Sequence, residues 1–225
     1  SVICTLCTGF FSLAIIKGLL MIKYFTIEDL LKHYLQKKFH ILEKNPDVYA
    51  WISIPGTAID YPVLQRENDN TYYLDHTIDH EEKTEGAIFT ENYNNTDFED
   101  PNTVIYGHDM RNGSMFKGLL DYRDKTFFDQ NKEVLIYTPD AIRHYKIFAA
   151  YPYDSRHLLR SFDFTDKEVY QQYLYRIFAI RDMNASIDTT AQVGTDDKIL
   201  TLSTCYANQP DMRFLVQAVL VSIEQ

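Results

Sequence analysis

Three residues of this chain, Cys205, His108 and Arg213, have side chains that could together perform nucleophilic chemistry. A cysteine mechanism needs a thiol, a proton-transfer partner and a donor group for a developing oxyanion. The chain holds three cysteines. Cys4 and Cys7 lie in an apolar run, and no second Cys/His pair at ligand spacing follows them. They read as small apolar thiols rather than as a zinc or redox motif. Cys205 is then the single thiol of the remaining chain. It follows the strand-like Ile199-Leu200-Thr201-Leu202 at a point where the chain is expected to turn. That position suits an exposed nucleophile on a rigid mount, and equally a buried, inert thiol.

Seven histidines could serve as its partner. His33 and His40 fall on an expected N-terminal helix, His76 and His80 in an acidic loop, His144 in a strand and His157 in a loop that carries arginines. The His76–His80 loop reads as a hydrated surface segment rather than a metal site. His108 differs, because it follows the strand Thr103-Val104-Ile105-Tyr106 through Gly107 and so sits at a strand exit. Arg213 begins the apolar strand Phe214–Leu220, eight positions after Cys205. A hairpin-like excursion would return its guanidinium to the thiol, where a fixed charge and forked donors suit an oxyanion or a carbonyl. An arginine on a strand edge, paired with a surface carboxylate, is the plainer alternative.

The elements that must position these groups are mostly strands. The 17 tyrosines and 14 phenylalanines fall in short alternating runs that favour sheet over a helical bundle. About eight short strands from Val48 onward predict a closed or nearly closed β-barrel with added helices. The spacing of Val169, Tyr173, Leu174, Ile177 and Ile180 predicts a helix over Asp166–Met183, in the long connection before the last two strands. A short helical stretch is expected over Ser114–Tyr122. Residues 1–25 read as a membrane anchor, since Val2 to Ile22 is apolar with one interruption at Lys17. Residues 26–47 read as a helical linker, with a helix over Thr26–Asn45 stopped by Asn45-Pro46, and residues 48–225 as the catalytic domain. A net charge of −10 excludes the basic footprint of a nucleic-acid binder. No cofactor site and no metal-ligand cluster is legible.

In this order and context, Cys205, His108 and Arg213 resemble the catalytic set of the sortases, and of class B most closely. Thr201-Leu202-Ser203-Thr204-Cys205, Tyr106-Gly107-His108-Asp109-Met110, Asp69-Asn70-Thr71-Tyr72-Tyr73-Leu74 and Gly86-Ala87-Ile88-Phe89 carry the resemblance, which runs from about Val48 to Glu224. Tyr206 departs from it, standing where some class B members have an acidic residue. The resemblance implies an eight-stranded sortase barrel and a membrane-held enzyme whose catalytic domain faces outward. That enzyme would cleave a sorting motif of secreted proteins after Thr, form a thioester on Cys205, and pass the acyl group to an amine. His108 would handle protons, Arg213 would steady the oxyanion, and Ser203, Thr204 and Leu74 would line the groove for the motif. The acceptor would be a peptidoglycan cross-bridge amine or a pilin lysine. A cysteine endopeptidase using the same residues, or a tethered barrel that only binds a partner, are the competing readings.

Overall fold

Strand β1 (Val48–Ser53) shows how this sequence makes a barrel: Val48, Ala50 and Ile52 are buried while Tyr49, Trp51 and Ser53 are half-buried. That period of two is the pleat of a strand with one face toward a core. The structure is a computed structural model and describes residues 44–206 and 209–225. The expected anchor, and all but the last two residues of the expected Thr26–Asn45 helix, lie outside the described residues. Among the described residues, no helix is long and apolar enough to cross a membrane.

After β1 the chain turns at Pro55-Gly56, where Gly56 adopts φ +84° and Ile54 N–H donates to the Ile59 carbonyl at 2.9 Å. It returns as β2 (Asp60–Leu64), antiparallel to β1. β3 (Ile88–Thr90) adds parallel to β2, and β4 (Asn102–Tyr106) antiparallel to β3. β5 (Glu133–Tyr137) pairs with both β1 and β6 (Ile142–Asp154) and so closes the ring. β7 (Ser186–Ile187) is a short addition to β6. The last strands, β8 (Ile199–Tyr206) and β9 (Gln209–Glu224), lie between β4 and β6. The ring order β5-β1-β2-β3-β4-β8-β9-β6 is the expected eight-stranded mixed barrel, with β7 outside it.

Among the described residues, three short helices decorate the barrel: α1 (Lys125–Gln130), α2 (Leu158–Ser161) and α3 (Lys167–Phe178). Asp166 caps α3 by accepting from the backbone N–H groups of Glu168 and Val169. Tyr170, Tyr173, Leu174 and Ile177 form its buried stripe. The helix stops at Phe178, short of the expected Met183. Arg181 donates to the Phe178 and Ile180 carbonyls, satisfying groups that another turn would have bonded. The expected helix over Ser114–Tyr122 is a 3-10 helix at Lys117–Arg123.

Two cores result. Ile52, Val63, Ile105, Leu200, Leu202, Phe214 and Val216 fill the barrel, while Val104, Ile199 and Leu215 face outward against Tyr170, Tyr173, Leu174 and Ile177 of α3. Both faces of β8 are therefore covered, which is why its residues up to Thr204 are all buried. Buried polar groups on the outer face bond one another. Gln217 donates to Thr201 Oγ1 (2.9 Å) and Tyr173 OH (2.6 Å) and accepts from Tyr151 OH (3.1 Å). Thr201 in turn donates to Asn102 Oδ1 at 2.8 Å. This network ties β4, β8, β9, β6 and α3 into one rigid floor.

Candidate active site

The outer face of β4, β8 and β9, past the end of α3, forms the floor of a cleft. Period-two alternation puts Ser203 and Cys205 on the same face as Thr201, and Arg213 on the same face as Leu215 and Gln217. Cys205 lies within β8, not beyond it as its sequence context suggested, and it is exposed. The strand runs farther because β9 continues to pair with it through Cys205↔Arg213 before a bulge at Tyr206. Arg213 accordingly stands directly opposite the thiol, and its Nη1 donates to the Met212 carbonyl at 3.0 Å.

His108 arrives from β4. Tyr106 is in register with Ser203, and Gly107 N–H donates to the Ser203 carbonyl at 3.1 Å. A side chain at position 107 would put its Cβ 2.4 Å from Ile88 Cδ1 and 2.7 Å from Phe116 Cγ, so only glycine lets the chain leave the strand here. His108 Nε2 donates to the Leu74 carbonyl at 2.7 Å, and its ring lines the same cleft as the Cys205 thiol. Interaction with the thiol raises the His108 pKa, with burial opposing and the Leu74 carbonyl assisting. The same interaction lowers the Cys205 pKa, with burial opposing, Arg213 and His108 assisting through their charge and Asp109 opposing through its own. Both shifts favour a thiolate beside an imidazolium, the reactive form of a cysteine nucleophile.

The cleft has a volume of about 250 Å³. Leu74, on the 3-10 turn Tyr72–Leu74, forms one lip and is 45% exposed. Tyr153 to Leu158 supply residues for the opposite wall, and Phe89, Val104 and Leu215 add apolar surface. Ser203 and Thr204 both border the cleft. Thr204, however, is only 2% exposed, alternates toward the barrel interior with Leu200 and Leu202, and has a buried hydroxyl with no hydrogen-bond partner among the described residues. Its side chain therefore faces away from the cleft on which the resemblance put it.

The other histidines stand elsewhere, with one exception. His76 stacks on Tyr72 (4.1 Å between centroids) and bonds Asp75, His80 bonds Tyr72 OH, and His144 lies between Glu133 and Glu224. His33 and His40 lie outside the described residues. Among the described residues, no group of three or more His, Cys, Asp or Glu side chains could hold a metal ion. The exception is His157, which lines the cleft together with Glu91. Glu91 directly follows β3, the strand-exit position that singled out His108 in the sequence. The same criterion applied to acidic residues would have found it.

The sortase domain family profile matches residues 52–221. Sortase B of Listeria monocytogenes is 33% identical over 180 residues, covering 79% of this chain and 71% of that protein. The crystal structure of Clostridium perfringens sortase B superposes with a TM-score of 0.71 at 32% identity, over 82% of this chain and all of that one. A Staphylococcus aureus sortase B–substrate complex gives a TM-score of 0.72 at 27% identity, over 84% of this chain and 91% of that one. With a mixed eight-stranded barrel carrying a thiol, an imidazole and a guanidinium in one cleft, this chain belongs to the sortase family of cysteine transpeptidases, and within it to class B.

Proposed function

We propose that this chain is a membrane-anchored transpeptidase that joins secreted proteins to a peptidoglycan cross-bridge amine, with Cys205 as nucleophile, His108 as acid and base, and Arg213 as oxyanion donor. The Cys205 thiolate attacks the carbonyl carbon of a Thr in the sorting motif, forming a C–S bond. Arg213 donates to the oxygen that becomes negative. His108 then gives its proton to the leaving amine as the C–N bond breaks. An incoming amine attacks the thioester and loses its proton to His108. A new C–N bond forms, and Cys205 leaves as thiolate.

The observation that carries this reading is the shared cleft. Arg213 faces Cys205 across the β8–β9 ladder while His108, oriented by the Leu74 carbonyl, enters the same cleft from the β4 side. Ser203 and Leu74 border the same cleft and are the residues we assign to the motif. The anchor rests on the apolar run from Val2 to Ile22, which would hold the catalytic domain at the outer face of the membrane.

The test is product analysis. Purified chain is incubated with peptides containing a Thr–Gly or Thr–Asn bond, alone and with a cross-bridge peptide or a pilin domain as amine donor. A mass increase on Cys205 equal to the acyl fragment, lost in Cys205→Ala, is expected, followed by ligation to the cross-bridge amine. Ligation to pilin lysine instead would move the function to pilus assembly. Hydrolysis unaffected by any amine would make the chain a cysteine endopeptidase.

A further inference from the structure

Glu91 and His157 lie 66 positions apart in the sequence, yet their side chains meet at the edge of the cleft: His157 Nε2 donates to Glu91 Oε2 at 2.5 Å. The pair is largely sheltered, with side-chain exposures of 27% for His157 and 16% for Glu91. The two partners are held very differently. Glu91 follows β3, and its carbonyl accepts from Asn94 N–H (3.0 Å) and Gln65 Nε2 (3.1 Å), so it is fixed to the barrel. His157 belongs to the stretch after β6, where pairing with β9 ends at Asp154↔Met212. Beyond that point the wall has no ladder to hold it. Arg156 bonds Asp154, and the backbone donors of Arg160, Ser161 and Phe162 bond residues 157 and 158.

His157 has no ring nitrogen left for proton transfer to a substrate. Nδ1 accepts from Arg160 N–H at 3.3 Å, at the start of α2, and Nε2 is taken by Glu91. Its ring also meets the edge of Tyr93 at 5.0 Å. We infer that the Glu91–His157 pair is a clamp that fastens the wall at residues 154–158 to the barrel and so sets the width of the cleft that receives the sorting motif. These are positioning residues. They would act on how tightly the peptide is held, not on the thiol. The inference rests on the transpeptidase reading for what the cleft holds, but the clamp itself can be measured without substrate.

The experiment compares the intact chain with Glu91→Ala, His157→Ala, the double variant and the conservative Glu91→Gln. Backbone hydrogen–deuterium exchange is followed at residues 154–161 and, as internal reference, along β8. Steady-state kinetics use the peptide cleaved fastest from a library randomised around Thr–Gly and Thr–Asn bonds. Either single alanine variant is expected to speed exchange at 154–161 without changing β8. Each should raise KM about tenfold, as expected for losing one sheltered charge-assisted hydrogen bond, with kcat unchanged. Glu91→Gln, which keeps an acceptor, should fall between, and the double variant should be no worse than either single. Unchanged exchange at 154–161, additive effects in the double variant, or a fall in kcat at constant KM would each overturn the clamp. Absence of cleavage by the unaltered chain would instead overturn the transpeptidase reading, and the exchange measurement would still decide the clamp.

Discussion

Cys205 and Arg213 are directly opposed residues of one antiparallel ladder, whose register shifts at a bulge just beyond them. Directly opposed residues on one face of a sheet have Cβ atoms about 5 Å apart. The guanidinium is thus carried beside the thiol by a backbone that is already hydrogen-bonded, close enough to lower the thiol's pKa through its charge. Arg213→Ala should lower kcat/KM by about 10²- to 10³-fold, the usual cost of removing one oxyanion donor. Arg213→Lys should recover only part, because an ammonium keeps the charge and loses the fork. Peptide cleavage kinetics, with circular dichroism to confirm the fold, check both.

The opposite shifts of His108 and Cys205 predict a pH profile. The thiol is lowered and the imidazole raised, so the thiolate–imidazolium pair forms as pH rises through the acidic titration of the pair and is lost as pH rises through the alkaline one. Alkylation of Cys205 by iodoacetamide should therefore begin below the ordinary thiol range near ~8.5. His108→Gln should move that onset upward and remove the alkaline fall in kcat/KM. An alkylation profile identical in the variant would contradict the pairing.

The pH dependence of stability follows with its signs. His108, raised in the folded state, contributes stability that is fully present below the ordinary imidazole pKa and is lost as pH rises through its folded value. Cys205, lowered, contributes stability present above the ordinary thiol pKa and lost as pH falls through its folded value. The difference in melting temperature between the unaltered chain and the Cys205→Ala or His108→Gln variant, followed from acid to mildly alkaline pH, should change across these windows and stay level outside them.

Gly86 packs against the turn whose Leu74 carbonyl orients His108. It adopts φ +55°, and a Cβ there would stand 2.3 Å from the Tyr73 carbonyl oxygen and 2.7 Å from that of Leu74. The Leu74 carbonyl is the acceptor that orients His108. Gly86→Ala should thus strain the backbone by about 1–3 kcal/mol and lower kcat about tenfold. Unchanged kcat, in a variant shown to be folded, would separate the loop from His108.

Gln217 is fully buried and holds Thr201, Tyr173 and Tyr151 through its amide. Gln217→Ala removes three hydrogen bonds, leaving Thr201 bonded to Asn102 and the Tyr151 and Tyr173 hydroxyls only to each other at 3.3 Å, and should cost about 3 kcal/mol of stability. Thermal or denaturant unfolding measures it, and the thiol's alkylation rate should change far less than the melting temperature.

Much of this architecture is local and therefore legible in the chain itself. The Ile199–Leu202 run, the Asp166 cap with its 3.6-residue stripe, and the Pro55-Gly56 turn are decided by neighbours within a few residues. So is the strand exit at His108, because Gly107 can be read next to a β-branched run. Local pattern could not decide that Cys205 stays inside β8, since that depends on β9 pairing with it through Arg213. Nor could it turn Thr204 away from the cleft, because that parity follows from which face of β8 lines the barrel. The Leu74 carbonyl that orients His108 comes from 34 positions away, and the Glu91–His157 pair spans 66. The sequence alone determined most of the strands, the stripe of α3 and the likeness to class B sortases, and it singled out the thiol, imidazole and guanidinium as candidates. Only the tertiary structure decided which strand faces and loop ends meet around the thiol, because ladder register and barrel closure join residues that no short-range periodicity relates.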